Sequence, residues 1–259
     1  MKNTLIDISR SYRADLLKFK NSKVLFIALG APLFLVALFF TILLFKANQI
    51  IGNADNGWIV MLNQLTNTGL SLFFPLFIIL ITSQISRVEY DANSWKQIYT
   101  LPLHRGSIYL SKILMTSSIV LLSLISFGIF YYIFGGILTL IYPELFVYKT
   151  EVLSTLVNVL LMSGITSFAW VGIQFWASYR WKNMVLPLAL GIVGFVAGVI
   201  LIKWEHAAYV PFTHLLFTAK ALQTDTFSLL NKVSYLSMAY GFLFLLIGYL
   251  ELKFKKRFS

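Results

Sequence analysis

The 259-residue sequence contains no cysteine and few charged residues. Without cysteine, the chain can form neither a disulfide nor a thiolate metal site. Only 12% of its residues are charged, whereas 58% are hydrophobic, and the mean hydropathy is +0.79. Soluble domains carry about 25% charged residues. The composition therefore excludes an ordinary soluble domain and indicates a polytopic membrane protein.

The sequence also lacks the motifs of an ATPase and of a proton-driven carrier. The dipeptide Gly-Lys does not occur, so the chain has no phosphate-binding loop of the Gly-x-x-x-x-Gly-Lys-Ser/Thr type. Any ATP hydrolysis must come from a separate subunit. Every Asp and Glu lies in a loop or at the end of an apolar segment, which leaves no intramembrane carboxylate to relay protons.

The three histidines, His104, His206 and His214, do not pair with a carboxylate or with each other at ligand spacing. We therefore expect no metal site, no catalytic residue and no cofactor bound by this chain. A membrane-embedded enzyme, such as a lipid-modifying transferase or a protease, would need such groups within its spans. A scaffold or sensor without transport remains a further alternative.

Six apolar segments are long enough to cross a bilayer, which takes about 20 residues. The predicted fold is an all-α polytopic membrane protein with one domain over residues 1–259. Lys46 to Thr68 is predicted to be an outer loop, and residues 203–232 an apolar outer segment with a break at Pro211. The predicted spans are residues 24–45, 69–86, 113–141, 152–178, 185–202 and 233–250.

Residues 1–23 are predicted to form an amphipathic helix at the cytoplasmic interface, with an apolar face of Leu5, Ile8, Tyr12, Leu16 and Phe19. Most of the 21 Lys and Arg residues fall in this helix and in the other parts that a six-span layout places inside. The distribution predicts that both termini are cytoplasmic. Because the basic residues flank apolar segments and do not form one stripe, a nucleic-acid partner is not expected.

The longest charged interruption between two apolar segments is the stretch from Arg87 to Lys112. Trp95, Ile98 and Tyr99 stand at i, i+3 and i+4, which predicts a short helix with an apolar stripe. Pro102 ends this helix, because the residue before a proline is disfavoured in the α region. A solvated loop that only joins two spans is the alternative, and the spacing alone does not separate the two.

Within this stretch, the spacing of Glu89, Trp95-Lys96, Pro102, Arg105 and Lys112 resembles the loop after the second span in type-2 ABC exporter permeases. A departure is Asn93-Ser94, where the family pattern has a glycine before the tryptophan. The resemblance implies a coupling helix over residues 87–112 and re-entrant helices over residues 203–232. The coupling residues would be Glu89, Trp95, Lys96, Ile98, Tyr99, Pro102, Arg105 and Lys112.

The same resemblance implies partners. Two copies of an ABC ATPase subunit would bind ATP and Mg²⁺, and a second permease copy or a related chain would complete the pathway within the membrane lipid.

The stretch from Ala14 to Ser22, followed by Ala31-Pro32, is similar to the start of the first span in the lantibiotic- and bacitracin-immunity branch of these permeases. Asp15 stands where that branch has glutamate. This similarity implies export of an antimicrobial peptide or another amphiphile, and hence antibiotic resistance, from a bacterial cytoplasmic membrane. A lipid or lipid-linked substrate is the alternative.

Two spans carry further candidate residues. The fourth contains the polar residues Asn158, Ser163, Thr166 and Gln174, which either face a substrate pathway or form ordinary hydrogen bonds between helices. The fifth contains Gly194 and Gly198, a Gly-x-x-x-Gly pair that predicts close packing against another helix.

Overall fold

The computed structural model describes residues 2–20, 22–52, 56–91, 105–181, 183–223 and 228–254. The described residues form helices and turns, with no strand among them, so the prediction of an all-α polytopic membrane protein is confirmed. Trp95, Lys96, Ile98, Tyr99 and Pro102 lie outside the described residues. The predicted coupling helix around them stays a prediction.

Nine α-helices, one π-helix and two short 3₁₀ turns make up the described chain. The π-helix, Leu65–Phe73, joins α3 and α4, and the 3₁₀ turns Ala207–Tyr209 and Pro211–Thr213 lie between α7 and α8. The α-helices are α1 (Lys2–Lys20), α2 (Lys23–Ile51), α3 (Gly57–Gln64), α4 (Phe74–Asp91), α5 (Arg105–Ile141), α6 (Thr150–Arg180), α7 (Val185–Leu201), α8 (His214–Gln223) and α9 (Lys232–Phe254).

Five helical stretches of the described chain are long and apolar enough to cross a membrane. They are Lys23–Ile51, Gly57–Arg87, Gly106–Ile141, Thr150–Arg180 and Lys232–Phe254. Helix α7, which covers the predicted fifth span, is apolar but has 17 residues. That length lies at the lower end of the spanning range of about 17 to 25 residues.

The predicted outer loop from Lys46 to Thr68 is mostly helical instead. Helix α2 continues to Ile51 through a kink at Lys46, and α3 begins at Gly57, where the Asn56 side chain accepts a hydrogen bond from the Trp58 N–H. The polar residues of this stretch obscure an apolar face in the sequence. In the structure that face is buried and consists of Trp58, Met61, Leu62 and Leu65.

The π-helix is an unusual feature, because π-helices are rare, usually span a single turn and occur frequently at functional sites. The Phe74 N–H bonds to the Gly69 carbonyl five residues earlier, and the Ser71 hydroxyl donates to the Thr66 carbonyl. Pro75 follows at once and has no N–H to donate to the preceding turn. The wider π turn accommodates this missing donor.

Helix α6 is central to the packing. It contacts α4, α5, α7, α8 and α9, and its longest contact runs along α9. Helix α5 contacts α6 and also packs against both α2 and α1. Helix α5 therefore connects the N-terminal helix to the rest of the bundle.

Candidate functional site

A buried ion pair joins α1 to the base of α5, the helix that follows residues 92–104. The Lys112 Nζ lies 2.5 Å from the Asp15 Oδ1, and the two side chains are 3% and 8% exposed. The Ser111 hydroxyl also donates to the Asp15 Oδ2, at 3.4 Å. A charge is costly to bury unless it is paired and hydrogen-bonded. The pair therefore fixes the position of α1 against α5.

Two further contacts extend this junction. The hydroxyl oxygens of Ser11 and Ser111 are 2.7 Å apart, and the Tyr12 hydroxyl lies 2.9 Å from the Ser118 hydroxyl. The face of α1 toward α5 thus carries Ser11, Tyr12 and Asp15. Leu16, which was predicted on the apolar face of α1 with Tyr12, is exposed, because pairing Asp15 with Lys112 turns the next residue, Leu16, away from α5.

The base of α5 is also held by a second set of contacts, through Tyr109. Its hydroxyl donates to the Leu245 carbonyl at 2.9 Å, and its ring lies edge-on to Phe175 at a centroid distance of 5.4 Å. Gly248 allows this approach, since a Cβ there would lie 2.4 Å from the Tyr109 hydroxyl oxygen. Together, Lys112 and Tyr109 fix the first turns of α5 to α1, α6 and α9.

Of the predicted coupling residues, Lys112 thus lies in a well-defined contact. Glu89 belongs to the last turn of α4 and Arg105 to the first of α5; the structure does not describe their side chains. Sequence reasoning missed the roles of Asp15 and Tyr109 at this junction. A signal for Asp15 existed, because Lys112 borders a long apolar run and needs an anionic partner if it is buried.

An apolar groove with a volume of about 250 Å³ lies between α2, the π-helix, α4 and α5. It exceeds the roughly 150 Å³ of an engineered apolar cavity that binds benzene. Exposed rings of Phe34 and Phe73 stand at its rim. Of the residues that line the groove, Ser123 alone has a polar side chain. The lining residues are Ile27, Ala31, Pro32, Phe34, Leu35, Gly69, Leu70, Phe73, Phe74, Leu76, Phe77, Leu80, Ser123, Leu124 and Phe127.

Gly69 keeps part of this groove open. A Cβ at Gly69 would lie 3.7 Å from the Leu35 Cδ1 and 3.8 Å from the Phe127 ring, and both neighbours line the groove. A methyl group therefore fits without a clash, whereas a larger side chain would fill the space. The π-helix contributes this glycine together with Leu70 and Phe73.

The four predicted pathway residues on α6 are not among the residues that line the groove. Ser163, Thr166 and Gln174 are fully buried, whereas Asn158 is half-buried. The Thr166 hydroxyl lies 3.0 Å from the Thr218 hydroxyl of α8, and the Ser163 hydroxyl has no hydrogen-bond partner among the described residues. These positions favour contacts between helices, and a role in a pathway stays a prediction.

Gln174 joins α6 to α7. With its amide oxygen toward α7, it accepts from the Gly191 N–H at 3.2 Å, while its amide nitrogen donates to the Pro187 carbonyl at 3.3 Å. A Cβ at Gly191 would lie 2.3 Å from the side-chain amide group of Gln174. The glycine thus allows the amide to reach the backbone of α7.

Gly194 and Gly198 allow a second close approach to α7. A Cβ at Gly194 would lie 2.5 Å from the Phe212 ring, and one at Gly198 would lie 2.6 Å from the Phe212 carbonyl oxygen. Their neighbour is therefore the 3₁₀ turn Pro211–Thr213 of the outer segment. The sequence predicted another helix as the partner.

The outer segment after α7 consists of the two 3₁₀ turns and α8, which packs against α6 and the π-helix. The His214 Nε2 bonds to the Ala208 carbonyl at 3.0 Å, and the Thr213 hydroxyl donates to the Ala207 carbonyl at 2.6 Å. Burial lowers the pKa of His214 to about 4, so its imidazole is neutral at pH 7. These bonds hold the outer segment in a fixed, folded form.

Comparison with known families gives one match. The sequence profile of a family described as ABC-2 family transporter protein matches residues 13–198, more than half of the chain. The matched range includes Asp15, Lys112 and every residue that lines the groove. No curated protein and no solved structure matches the chain.

Proposed function

Because the chain belongs to the ABC-2 family of transporter proteins, we propose that it is the permease subunit of an ATP-driven exporter of amphiphilic molecules. An antimicrobial peptide of the lantibiotic type is the first candidate substrate. Two copies of a separate ABC ATPase subunit would supply the energy by binding ATP and Mg²⁺. A second permease chain, identical or related, would complete the complex in a bacterial cytoplasmic membrane with both termini inside.

The apolar groove is the observation that carries the amphiphile proposal. It opens beside exposed rings within the helices that cross the membrane, so a molecule already dissolved in the lipid could enter it sideways. An apolar side chain or part of an alkyl chain suits its lining, since burying apolar surface against apolar surface needs no hydrogen bonds. The same lining suits a lipid acyl chain, which makes a lipid the second candidate.

The junction at the base of α5 supports the ATP-driven part of the proposal. A coupling segment over residues 87–112 can transmit the motion of an ATPase only if its ends are fixed to the spans. Lys112 is bonded to α1 and Tyr109 to α9. A push on the segment would therefore move α5 together with α1, α6 and α9.

Filling the groove tests this proposal. We expect Gly69→Leu to occupy the groove and to reduce ATP-dependent transport of a fluorescent lantibiotic, in vesicles with the co-purified ATPase, by about tenfold or more. Gly136→Leu is the matched control, because a Cβ at Gly136 meets no atom within 4 Å. Unchanged transport in Gly69→Leu would refute a role for the groove, and a permease that co-purifies with no ATPase would refute the exporter function.

A further inference from the structure

The face of α1 that points away from α5 carries an exposed stripe of two apolar and two basic residues. Ile6, Arg10, Arg13 and Leu17 stand at i, i+4, i+7 and i+11, which places them on one side of the helix. All four are exposed, and Leu17 is exposed to 73%. A leucine so exposed beside two arginines is typical of a helix that lies in a membrane interface.

The contacts on the opposite face place α1 at the level of the membrane boundary. It bonds to Ser111, Lys112 and Ser118, where α5 passes from its polar first turns into an apolar run. In addition, α1 ends at Lys20 and the first span begins at Lys23. Helix α1 is therefore held beside two spans at their inner ends, with its stripe directed outward.

We propose that this stripe, formed by Ile6, Arg10, Arg13 and Leu17, binds the headgroups of anionic lipids. The two arginines would pair with lipid phosphates, because a guanidinium forms paired hydrogen bonds with phosphate oxygens. The apolar side chains would enter the boundary between headgroups and acyl chains. The charge is complementary, since the acidic residues of α1 described by the structure lie elsewhere: Asp15 is buried against α5 and Asp7 is half-buried.

Lipid binding would also reach the coupling segment. Asp15, on the face opposite to the stripe, pairs with Lys112 at the base of α5, so a lipid that holds α1 in place also holds the base of α5. Transport per ATP hydrolysed should then rise with the fraction of anionic lipid. This consequence rests on the proposed exporter function, whereas the lipid contact itself does not.

A binding experiment on the permease alone tests the contact. The probe is short-chain phosphatidylglycerol, titrated in detergent against short-chain phosphatidylcholine and followed by native mass spectrometry. Each basic residue near an anionic surface contributes about fivefold to binding, so Arg10→Gln/Arg13→Gln should weaken phosphatidylglycerol binding by roughly 25-fold. The control Lys46→Gln/Lys203→Gln removes the same charge from exposed residues outside α1 and should leave binding unchanged.

A second measurement locates the stripe. Because the chain has no cysteine, a single Leu17→Cys can carry a fluorophore, which lipids with a quencher near the headgroup should quench in nanodiscs. Equal phosphatidylglycerol binding by the double arginine variant and its control would overturn the proposal. So would a label at residue 17 that lipid does not quench but an added ATPase subunit shields, because the stripe would then be a protein interface.

Discussion

Breaking the ion pair between Asp15 and Lys112 should strongly destabilise the protein. Lys112→Met leaves the Asp15 carboxylate buried with Ser111 as its remaining described contact, and a buried pair that loses one partner costs about 3 to 5 kcal/mol. This corresponds to roughly two to four powers of ten in the folding equilibrium constant. For a chain of this size, we expect the melting temperature in detergent to fall by roughly 6 to 20 °C.

Removing both charges should cost much less than removing one. In Asp15→Leu/Lys112→Met neither charge of the pair is left buried, and replacing a buried pair by apolar residues is often neutral or even stabilising by about 1 to 4 kcal/mol. We therefore expect the double variant to melt near or above the wild type. Asp15→Glu keeps the charge and should be tolerated better than Asp15→Asn.

The pair between Arg180 and Glu251 provides a matched control. It joins α6 to α9, but its side chains are 37% and 27% exposed, so Glu251→Gln should cost less than about 1 kcal/mol. If Lys112→Met and Glu251→Gln lower the melting temperature equally, the buried pair contributes no more to stability than the exposed pair. If the double variant loses as much stability as the two single variants together, the two charges are not coupled, which would refute a stabilising ion pair between Asp15 and Lys112.

The remaining predictions concern other contacts. Trp95→Ala should leave the protein folded but weaken binding of the ATPase by about 2 kcal/mol or more, as expected when an aromatic interface anchor is truncated. Normal co-purification of the ATPase and normal efflux would contradict the coupling helix. Gly198→Ala should destabilise by about 1 to 3 kcal/mol, because its Cβ would strike the Phe212 carbonyl oxygen, whereas Gly30→Ala meets open space and should melt like the wild type. His214 is neutral when buried, with its pKa lowered to about 4, and protonates near its ordinary pKa of about 6.5 when unfolded. The contribution of neutral His214 to the free energy of unfolding is therefore complete above pH 6.5 and declines toward pH 4. Lowering the pH from 7 to 5 should reduce the melting temperature less in His214→Asn than in the wild type. An equal reduction in both proteins would exclude His214 as a cause of the pH dependence.

The boundaries of α2 and α3 depend on tertiary packing as well as on local sequence. The polar residues between Lys46 and Thr68 indicated a loop, but Trp58, Met61 and Leu65 fall on one side of a helix and are buried there. Whether a polar stretch with a periodic apolar face forms a loop or a helix depends on what packs against that face. In the structure, Tyr131 packs against this face of α3, and its hydroxyl donates to the Trp58 carbonyl. The residues near α3 in the sequence do not show that Tyr131 lies there.

The amino-acid sequence by itself determined the membrane class and the helical fold, because a chain this apolar must satisfy its backbone hydrogen bonds internally within lipid. It also predicted a close contact at the two glycines of α7, and the family resemblance marked Lys112 as a coupling residue. Only the tertiary structure decided which partners these residues have: Asp15 for Lys112, and Phe212 for Gly194 and Gly198. Periodicity specifies the faces of a helix, whereas the neighbour of each face depends on how distant helices pack, and the groove beside the π-helix exists only once four helical segments have come together.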